Sequence, residues 1–370
     1  MVKVGLIGVG RMGKTHARNI RARLVPKLRL VAVCDINEQA IVKYKGSNIA
    51  TFTDYKEMID SGDLDAVIIA TPHYSHCEIA RYALKQGLHT LVEKPLAVDI
   101  ADGASAIKIA EKAKNTLFAI MFNQRTNNVY KKAKQIIESG QLGAIKRASW
   151  IITNWYRSQS YYNQSGWRAS WSGEGGGVLI NQCVHQLDLL QWLLGLPQAI
   201  TAKCKTVGRT ITVENDVLAT LEYKDFDATF IASTHDLPGT NRLEITGDGG
   251  RLIIERGKLI FDKLNKPESQ VNIDTKGGLY GTTLIARKKY RYGVIKKIRD
   301  TILGQQRNIL ANFVLAIENG VPLLAPANEG LASLSLINGI YLSNWLQKKI
   351  VLPIDEKLYL EQLNLHKEQL

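Results

Sequence analysis

Cysteine is scarce and scattered: Cys34, Cys77, Cys183 and Cys204 are four in 370 residues, with no C-x-x-C pair. That spacing argues against a zinc cluster or a disulfide framework and suits a reducing compartment. Long apolar runs are missing as well. No window approaches 18 uninterrupted apolar residues, so no bilayer-spanning helix is expected. The start, Met1-Val2-Lys3-Val4, enters an apolar strand-like segment without a basic leader, and a cytoplasmic location is the expectation. Acidic residues are the other shortage: 34 Asp+Glu against 48 Lys+Arg leave a net charge of +14. Such an excess suits nucleic acid, an anionic membrane or an anionic substrate, and only its distribution decides. No nucleic-acid recognition motif accompanies it and no apolar run is long enough to span a bilayer, so neither nucleic acid nor membrane is expected as a partner.

What is present is a globular composition, 45% hydrophobic and 22% charged, in a chain long enough for two domains. Over the first 123 residues two periods alternate. Apolar β-like runs at 2–9, 28–34, 66–70, 90–92 and 117–121 are separated by helical stretches at 12–24, 38–44, 55–60, 75–85 and 101–114. This alternation predicts a parallel sheet covered by helices on both faces. From 124 to 370 the rhythm changes. A helix over 130–139, a strand over 145–153, an aromatic Gly-rich loop over 154–177 and one helix over 178–194 come first. Strand-like segments at 199–206, 216–223, 228–234, 242–246 and 251–255 follow without crossover helices, which predicts a largely antiparallel sheet. Helices over 309–318 and 329–348 finish the chain. The fold class is therefore α/β, with a doubly wound domain over 1–123 and an α+β domain over 124–370.

Gly8-Val9-Gly10-Arg11-Met12-Gly13 places G-x-G-x-x-G directly after the first strand and at the start of a helix. Gly8 permits the tight turn, Gly10 lets backbone N–H groups approach a pyrophosphate, and Gly13 allows close helix packing. Asp35 ends the second strand 22 residues beyond Gly13. A carboxylate there accepts hydrogen bonds from ribose hydroxyls and repels a 2′-phosphate, so NAD is the expected cofactor. NADP is the alternative should a basic neighbour offset Asp35.

Two further segments carry polar groups that packing does not explain. Glu93-Lys94-Pro95 follows a strand at the carboxyl end, where open α/β sheets bind ligands. A lysine there can hydrogen-bond a developing oxyanion, although a solvated loop lysine is the plainer reading. Beyond Gly175-Gly176-Gly177, the residues Asn181, His185 and Asp188 are spaced i, i+4, i+7, on one face of a continuous helix. A satisfied core histidine is the plain reading, but an amide and a carboxylate on its own face favour chemistry. Asp188 can orient His185 and raise its basicity. One His and one Asp fall short of a metal-ligand set, so no metal is expected.

Together with Thr71-Pro72-His73-Tyr74-Ser75-His76, Gln141-Leu142-Gly143, Gly247 to Leu252 and Asn312-Phe313, these segments resemble the Gfo/Idh/MocA family of NAD(P)-dependent oxidoreductases over nearly the whole chain. The resemblance implies a Rossmann domain and a second domain with a large open sheet that serves dimer or tetramer contacts. It implies hydride transfer between NAD(P) and a secondary alcohol or ketone of a sugar or inositol-like polyol. For cofactor binding it implies Gly8, Gly10, Arg11, Met12, Gly13, Asp35, Thr71, Pro72, His76, Glu93 and Lys94. By the same carry-over Lys94 is the E-K-P lysine and His185 the histidine of D-x-x-x-H. Asn181 stands where many members have Asp. An amide accepts no proton, so acid–base work shifts to His185, with Lys94 polarising the reacting oxygen. Competing expectations are a glycosidase or epimerase working through a keto sugar, and a cofactor-sensing regulator.

On the substrate side, three Trp, three Tyr and two Arg fall between Asn154 and Trp171. Aromatic faces stack on sugar C–H surfaces, and Arg and Tyr hydrogen-bond to hydroxyls. Arg157, Tyr161, Trp167 and Arg168 are the candidates, with Asn123, Asn181, His185 and Asp188. The competing reading is a loop that only covers a core or a neighbouring subunit. Eight basic residues against one acid between Arg287 and Arg307 carry +7, half of the excess, and read as a solvated face.

Overall fold

The computed structural model describes residues 1–164, 166–274, 285–291, 293 and 304–368, in two compact units. The first comprises Met1–Thr126, Ser172–Gly175 and the described part of Ile298–Leu334. Its core is a six-stranded sheet of β1 (Val2–Ile7), β2 (Leu28–Cys34), β3 (Ala50–Phe52), β4 (Ala66–Ile69), β5 (His89–Val92) and β6 (Phe118–Ile120). All pairs are parallel, in the order β3-β2-β1-β4-β5-β6. The strands are Val/Ile/Leu runs because helices cover both faces; β4 is buried at every residue. The crossovers carry α1 (Arg11–Arg21), α2 (Glu38–Ile41), α3 (Tyr55–Asp60), α4 (His76–Lys85) and α5 (Ile100–Lys112). Asn37, Asp54 and Asp99 cap α2, α3 and α5 with side-chain oxygens that accept first-turn N–H groups.

A single cut after residue 123 does not contain this unit. Late in the chain, Ile120 N–H donates to the Ala325 carbonyl at 3.0 Å and Ala327 N–H to the Phe118 carbonyl at 2.9 Å. Those backbone bonds seat the returning segment beside β6, and the helix Gln306–Asn319 comes with it.

The second unit comprises Asn127–Trp171, Gly176–Lys297 and Ser335–Leu370, within the described residues. Helix α6 (Asn128–Glu138) leads into a nine-stranded sheet ordered β14-β13-β12-β11-β7-β10-β9-β8-β15. The strands are β7 (Ile145–Ile152), β8 (Ala199–Lys205), β9 (Asp216–Glu222), β10 (Asp227–Ser233), β11 (Asn241–Gly247), β12 (Gly250–Glu255), β13 (Lys258–Leu264), β14 (Ile285–Arg291) and β15 (Ile350–Val351). Among the described residues only β7 and β10 of this sheet pair in parallel, so the sheet is mostly antiparallel. Alternation sets its faces: Ala148, Trp150 and Ile152 of β7 are buried, as are Ala228, Phe230 and Ala232 of β10. Their neighbours Ser149, Ile151, Thr229 and Ile231 line the opposite, half-exposed face.

Of the basic tract, Arg287, Lys288, Lys289 and Arg291 lie on β14, exposed at the sheet edge; Lys296, Lys297 and Arg299 lie outside the described residues. Charged side chains on an edge strand discourage pairing with another chain.

Candidate active site

Every cofactor candidate lies in the first unit, at the carboxyl ends of β1, β2, β4 and β5 or just beyond. Gly8 follows β1 with φ +87°, and a Cβ there would stand 2.6 Å from the Ala70 carbonyl oxygen. At Gly13 a Cβ would stand 1.9 Å from the Gly8 oxygen, so α1 packs directly on the turn. Gly10 differs. It is exposed, and a Cβ there would meet nothing within 4 Å. The loop is thus closed on its protein side and open on the other, where the first N–H groups of α1 lack intrahelical acceptors. Such a cradle fits a pyrophosphate. Asp35 closes its flank, accepting Val9 N–H at 2.7 Å and Asn37 N–H at 2.9 Å. Each carboxylate oxygen keeps capacity for a ribose hydroxyl.

Two buried histidines tie these loops together. Glu93, directly after β5, meets His16 of α1 with 2.8 Å between Oε1 and Nε2, while Lys94 N–H donates to Oε2 at 3.2 Å. His16 was not visible as a site residue in the sequence; its only signal is its place one turn after Gly13. His76 stands at the start of α4 with Nδ1 2.7 Å from the Pro95 carbonyl and Nε2 2.9 Å from the Thr71 carbonyl. Burial lowers its pKa. Thr71 also receives the Ser75 hydroxyl at 2.9 Å, and Pro72 caps the short turn that follows. Asn123 is buried in a 3₁₀ turn after β6.

The second unit corrects one expectation. In place of one helix over 178–194 the chain forms α8 (Val178–Asn181), a break at Gln182 and Cys183, and α9 (Val184–Leu194). The Val178 carbonyl accepts both Gln182 N–H at 3.1 Å and Cys183 N–H at 2.8 Å, a bond five residues back that ends α8. Asn181 therefore does not share a continuous helical face with His185. His185 and Asp188 do share α9, three residues apart, with His185 half-buried and Asp188 buried. Gln191 donates to Asp188 at 3.0 Å.

What shapes this break was not read from the sequence. The buried Glu214 carboxylate accepts Gly177 N–H at 2.9 Å, Leu179 N–H at 3.0 Å and the Tyr341 hydroxyl at 2.9 Å. Burial pushes its pKa up to about 7 against the pull of these donors. The triple glycine is the visible half of this arrangement. A Cβ on Gly176 would lie 2.1 Å from the Tyr341 hydroxyl oxygen, and one on Gly177 1.9 Å from the Glu214 carbonyl oxygen.

The aromatic segment is brought together around Tyr161, in the short helix α7 (Gln159–Tyr162) capped by Ser158. The Arg157 guanidinium lies 4.6 Å from its ring centre and that of Arg168 5.3 Å, with Arg168 Nη1 donating to the phenol at 2.9 Å. Arg168 also stacks on Trp167. Gln182 Nε2 reaches the same phenol at 3.4 Å, linking the cluster to the break beside Asn181. Trp171 instead serves packing, buried edge-on against Tyr341 and Trp345. Lys94 and Asn123 thus belong to the first unit, and Asn181, His185, Asp188 and the Tyr161 cluster to the second.

Residues 2–121 match the family model described as "Oxidoreductase family, NAD-binding Rossmann fold", and residues 130–253 match the GFO/IDH/MocA C-terminal domain. The chain belongs to the Gfo/Idh/MocA oxidoreductases. The myo-inositol 2-dehydrogenase of Thermotoga maritima is 25% identical over 364 residues, 96% of this chain and 99% of the relative. The levoglucosan dehydrogenase of Pseudarthrobacter phenanthrenivorans is 31% identical over 216 residues, 55% of this chain and 54% of its own length. Among solved structures, the WlbA dehydrogenase of Bordetella pertussis, in complex with NADH and UDP-GlcNAcA, superposes with a TM-score of 0.78 at 24% identity. That match covers 96% of this chain and 99% of the other. Among the described residues of this Gfo/Idh/MocA chain, no helix is long and apolar enough to cross a membrane.

Proposed function

We propose that this oxidoreductase moves a hydride between NAD and a secondary alcohol or ketone of a sugar or inositol-like polyol. The observation that carries the reading is the glycine loop open at Gly10 and flanked by Asp35, on a chain similar over nearly its whole length to a myo-inositol 2-dehydrogenase. NAD supplies the hydride acceptor when bound. Gly8, Gly10, Arg11, Met12 and Gly13 offer the pyrophosphate cradle, Asp35 takes the ribose, and Thr71, Pro72, His76 and Glu93 shape the rest of the pocket.

His185 acts as the general acid/base that takes the hydroxyl proton of the reacting carbon, and Lys94 polarises the same oxygen. Asn181 hydrogen-bonds to the substrate but moves no proton. Asp188, one turn along α9, supports the basicity of His185. Asn123, Arg157, Tyr161, Trp167 and Arg168 hold the rest of the sugar. The half-exposed sheet face with Ile151, Leu218 and Ile231 is the contact for a homodimer or homotetramer.

The test is NADH formation over inositols, aldoses, sugar acids and sugar phosphates, with His185→Ala and Lys94→Met alongside. Loss of the acid/base should lower kcat by about 10²- to 10⁴-fold. Wild-type turnover in His185→Ala removes the general-base role.

A further inference from the structure

Arg157 and Arg209, both half-buried, have no ion pair among the described residues. Arg157 Nη1 donates only to the carbonyl of its neighbour Tyr156, at 2.9 Å, and its Nε is buried with no partner. Arg209 Nε donates to the Arg157 carbonyl at 2.8 Å and its Nη1 to the Gly208 carbonyl. Aromatic faces hold both planes in place: Arg157 lies 5.6 Å from the Trp155 ring centre and 4.6 Å from that of Tyr161, and Arg209 lies 5.4 Å from that of Tyr156. Stacking fixes the direction of a guanidinium fork without neutralising it. Two like charges are therefore gathered in one loop cluster, with donors left over and no ion pair among the described residues to offset them. The cluster is one side chain from the candidate chemistry, because Tyr161 accepts from Gln182, the residue after Asn181.

We infer that the substrate carries an anionic group, a carboxylate or a phosphate on the sugar, bound by Arg157 and Arg209. The inference rests on the dehydrogenase reading and narrows its substrate class: neutral polyols lack the group that these two forks recognise. Both anions present oxygens in the plane that a guanidinium pairs with through two parallel N–H···O bonds. Losing one such charge-assisted pair should weaken binding roughly 10- to 100-fold.

Calorimetric titration of the full chain, saturated with NAD, tests this with D-glucuronate, D-glucose 6-phosphate, D-glucose and myo-inositol as probes. NADH formation is followed on the same four compounds. At least one anionic probe is expected to bind tenfold or more tightly than glucose, with an affinity that falls as NaCl is raised. Comparison of glucuronate with glucose 6-phosphate tells carboxylate from phosphate. In Arg209→Gln and Arg157→Gln the ratio of anionic to neutral affinity should fall 10- to 100-fold. Arg157→Lys, which keeps the charge and loses the fork, should fall between, with melting temperatures confirming that all three variants fold. The inference is overturned if glucose or myo-inositol binds as tightly as both anions, if neither anion binds, or if the ratio survives in both Gln variants. NADH formation from neutral polyols in that case leaves the dehydrogenase reading standing. Arginine-dependent anion binding without NADH from any compound sinks the dehydrogenase reading instead.

Discussion

Tyr341 donates its hydroxyl to Glu214 at 2.9 Å, and both side chains are buried. The same carboxylate holds Gly177 and Leu179 by their N–H groups, so the turn leading to Asn181 hangs on one ionisable group. Among the described residues, Tyr341, Tyr162, Cys183 and Cys204 feel its charge, and burial pushes all four upward. Burial takes Glu214 from 4.5 to about 7. A folded pKa above the unfolded one means that the folded chain holds the proton more tightly. Stability from this group is then full below about pH 4.5 and declines until pH passes about 7, by about 3 kcal/mol. Glu214→Gln should flatten the melting temperature between pH 5 and 7.5. It should also lower kcat, because an amide NH₂ would face N–H donors that the carboxylate accepts. An unchanged slope of melting temperature against pH in the variant refutes this account.

The two glycines of the cofactor loop should separate folding from binding. Gly13→Ala places a methyl inside the Gly8 carbonyl, so a loss of about 1–3 kcal/mol or more in stability is expected. Gly10 has an ordinary φ of −67° and open space, so Gly10→Val should melt as the wild type does. Its methyls would occupy the cradle, and NAD affinity should fall at least tenfold. Thermal melts without NAD and calorimetry with it check both. Wild-type NAD affinity in Gly10→Val would falsify the cradle.

The parallel sheet was legible because its longer strands are mostly apolar, broken only by exposed residues such as Lys3 and Arg29, and the glycine loop because backbone geometry demands glycine at Gly8 and Gly13. Strand β3 is only three residues long, and β14 carries basic residues at four of seven positions, so neither shows a strand period. The break after Asn181 escaped because the apolar pattern of Leu179, Val184 and Leu187 runs across it. Its cause, Glu214, lies 37 residues from Gly177 in a polar stretch that reads as solvent-facing. The return of Pro326 to β6 rests on backbone hydrogen bonds, which leave no side-chain pattern.

Asp35 has two tasks, and a substitution should expose both. Asp35→Ala removes the acceptor for Val9 and Asn37 N–H as well as the proposed ribose contact. The NAD dissociation constant should rise at least tenfold, while that of NADP, freed from repulsion by the carboxylate, should rise less or fall. Titration of both dinucleotides measures the ratio. A ratio unchanged from wild type removes Asp35 from cofactor selection.

The exposed edge of the nine-stranded sheet depends on Asp262. Arg287 Nε donates to it at 2.6 Å and Arg251 Nη2 at 3.1 Å, and the Arg287 hydrogen bond, followed by that of Arg251, holds its carboxyl below the usual value despite burial. Here the sign is opposite to that of Glu214. A depressed folded pKa gives stability that is present above about pH 4 and lost as pH falls through the folded value. The carboxylate is covered, but Arg287 and Arg251 are open to water, so screening limits the effect to about 1 kcal/mol. Asp262→Asn should lower the melting temperature at pH 7, and the gap to wild type should close toward pH 3. Hydrogen exchange of 285–291 should quicken at pH 7, because among the described residues β14 has only β13 as a neighbour and its Arg287 loses the partner that pins it there. Protection of β14 that survives Asp262→Asn at pH 7 would mean that the backbone ladder alone holds the edge.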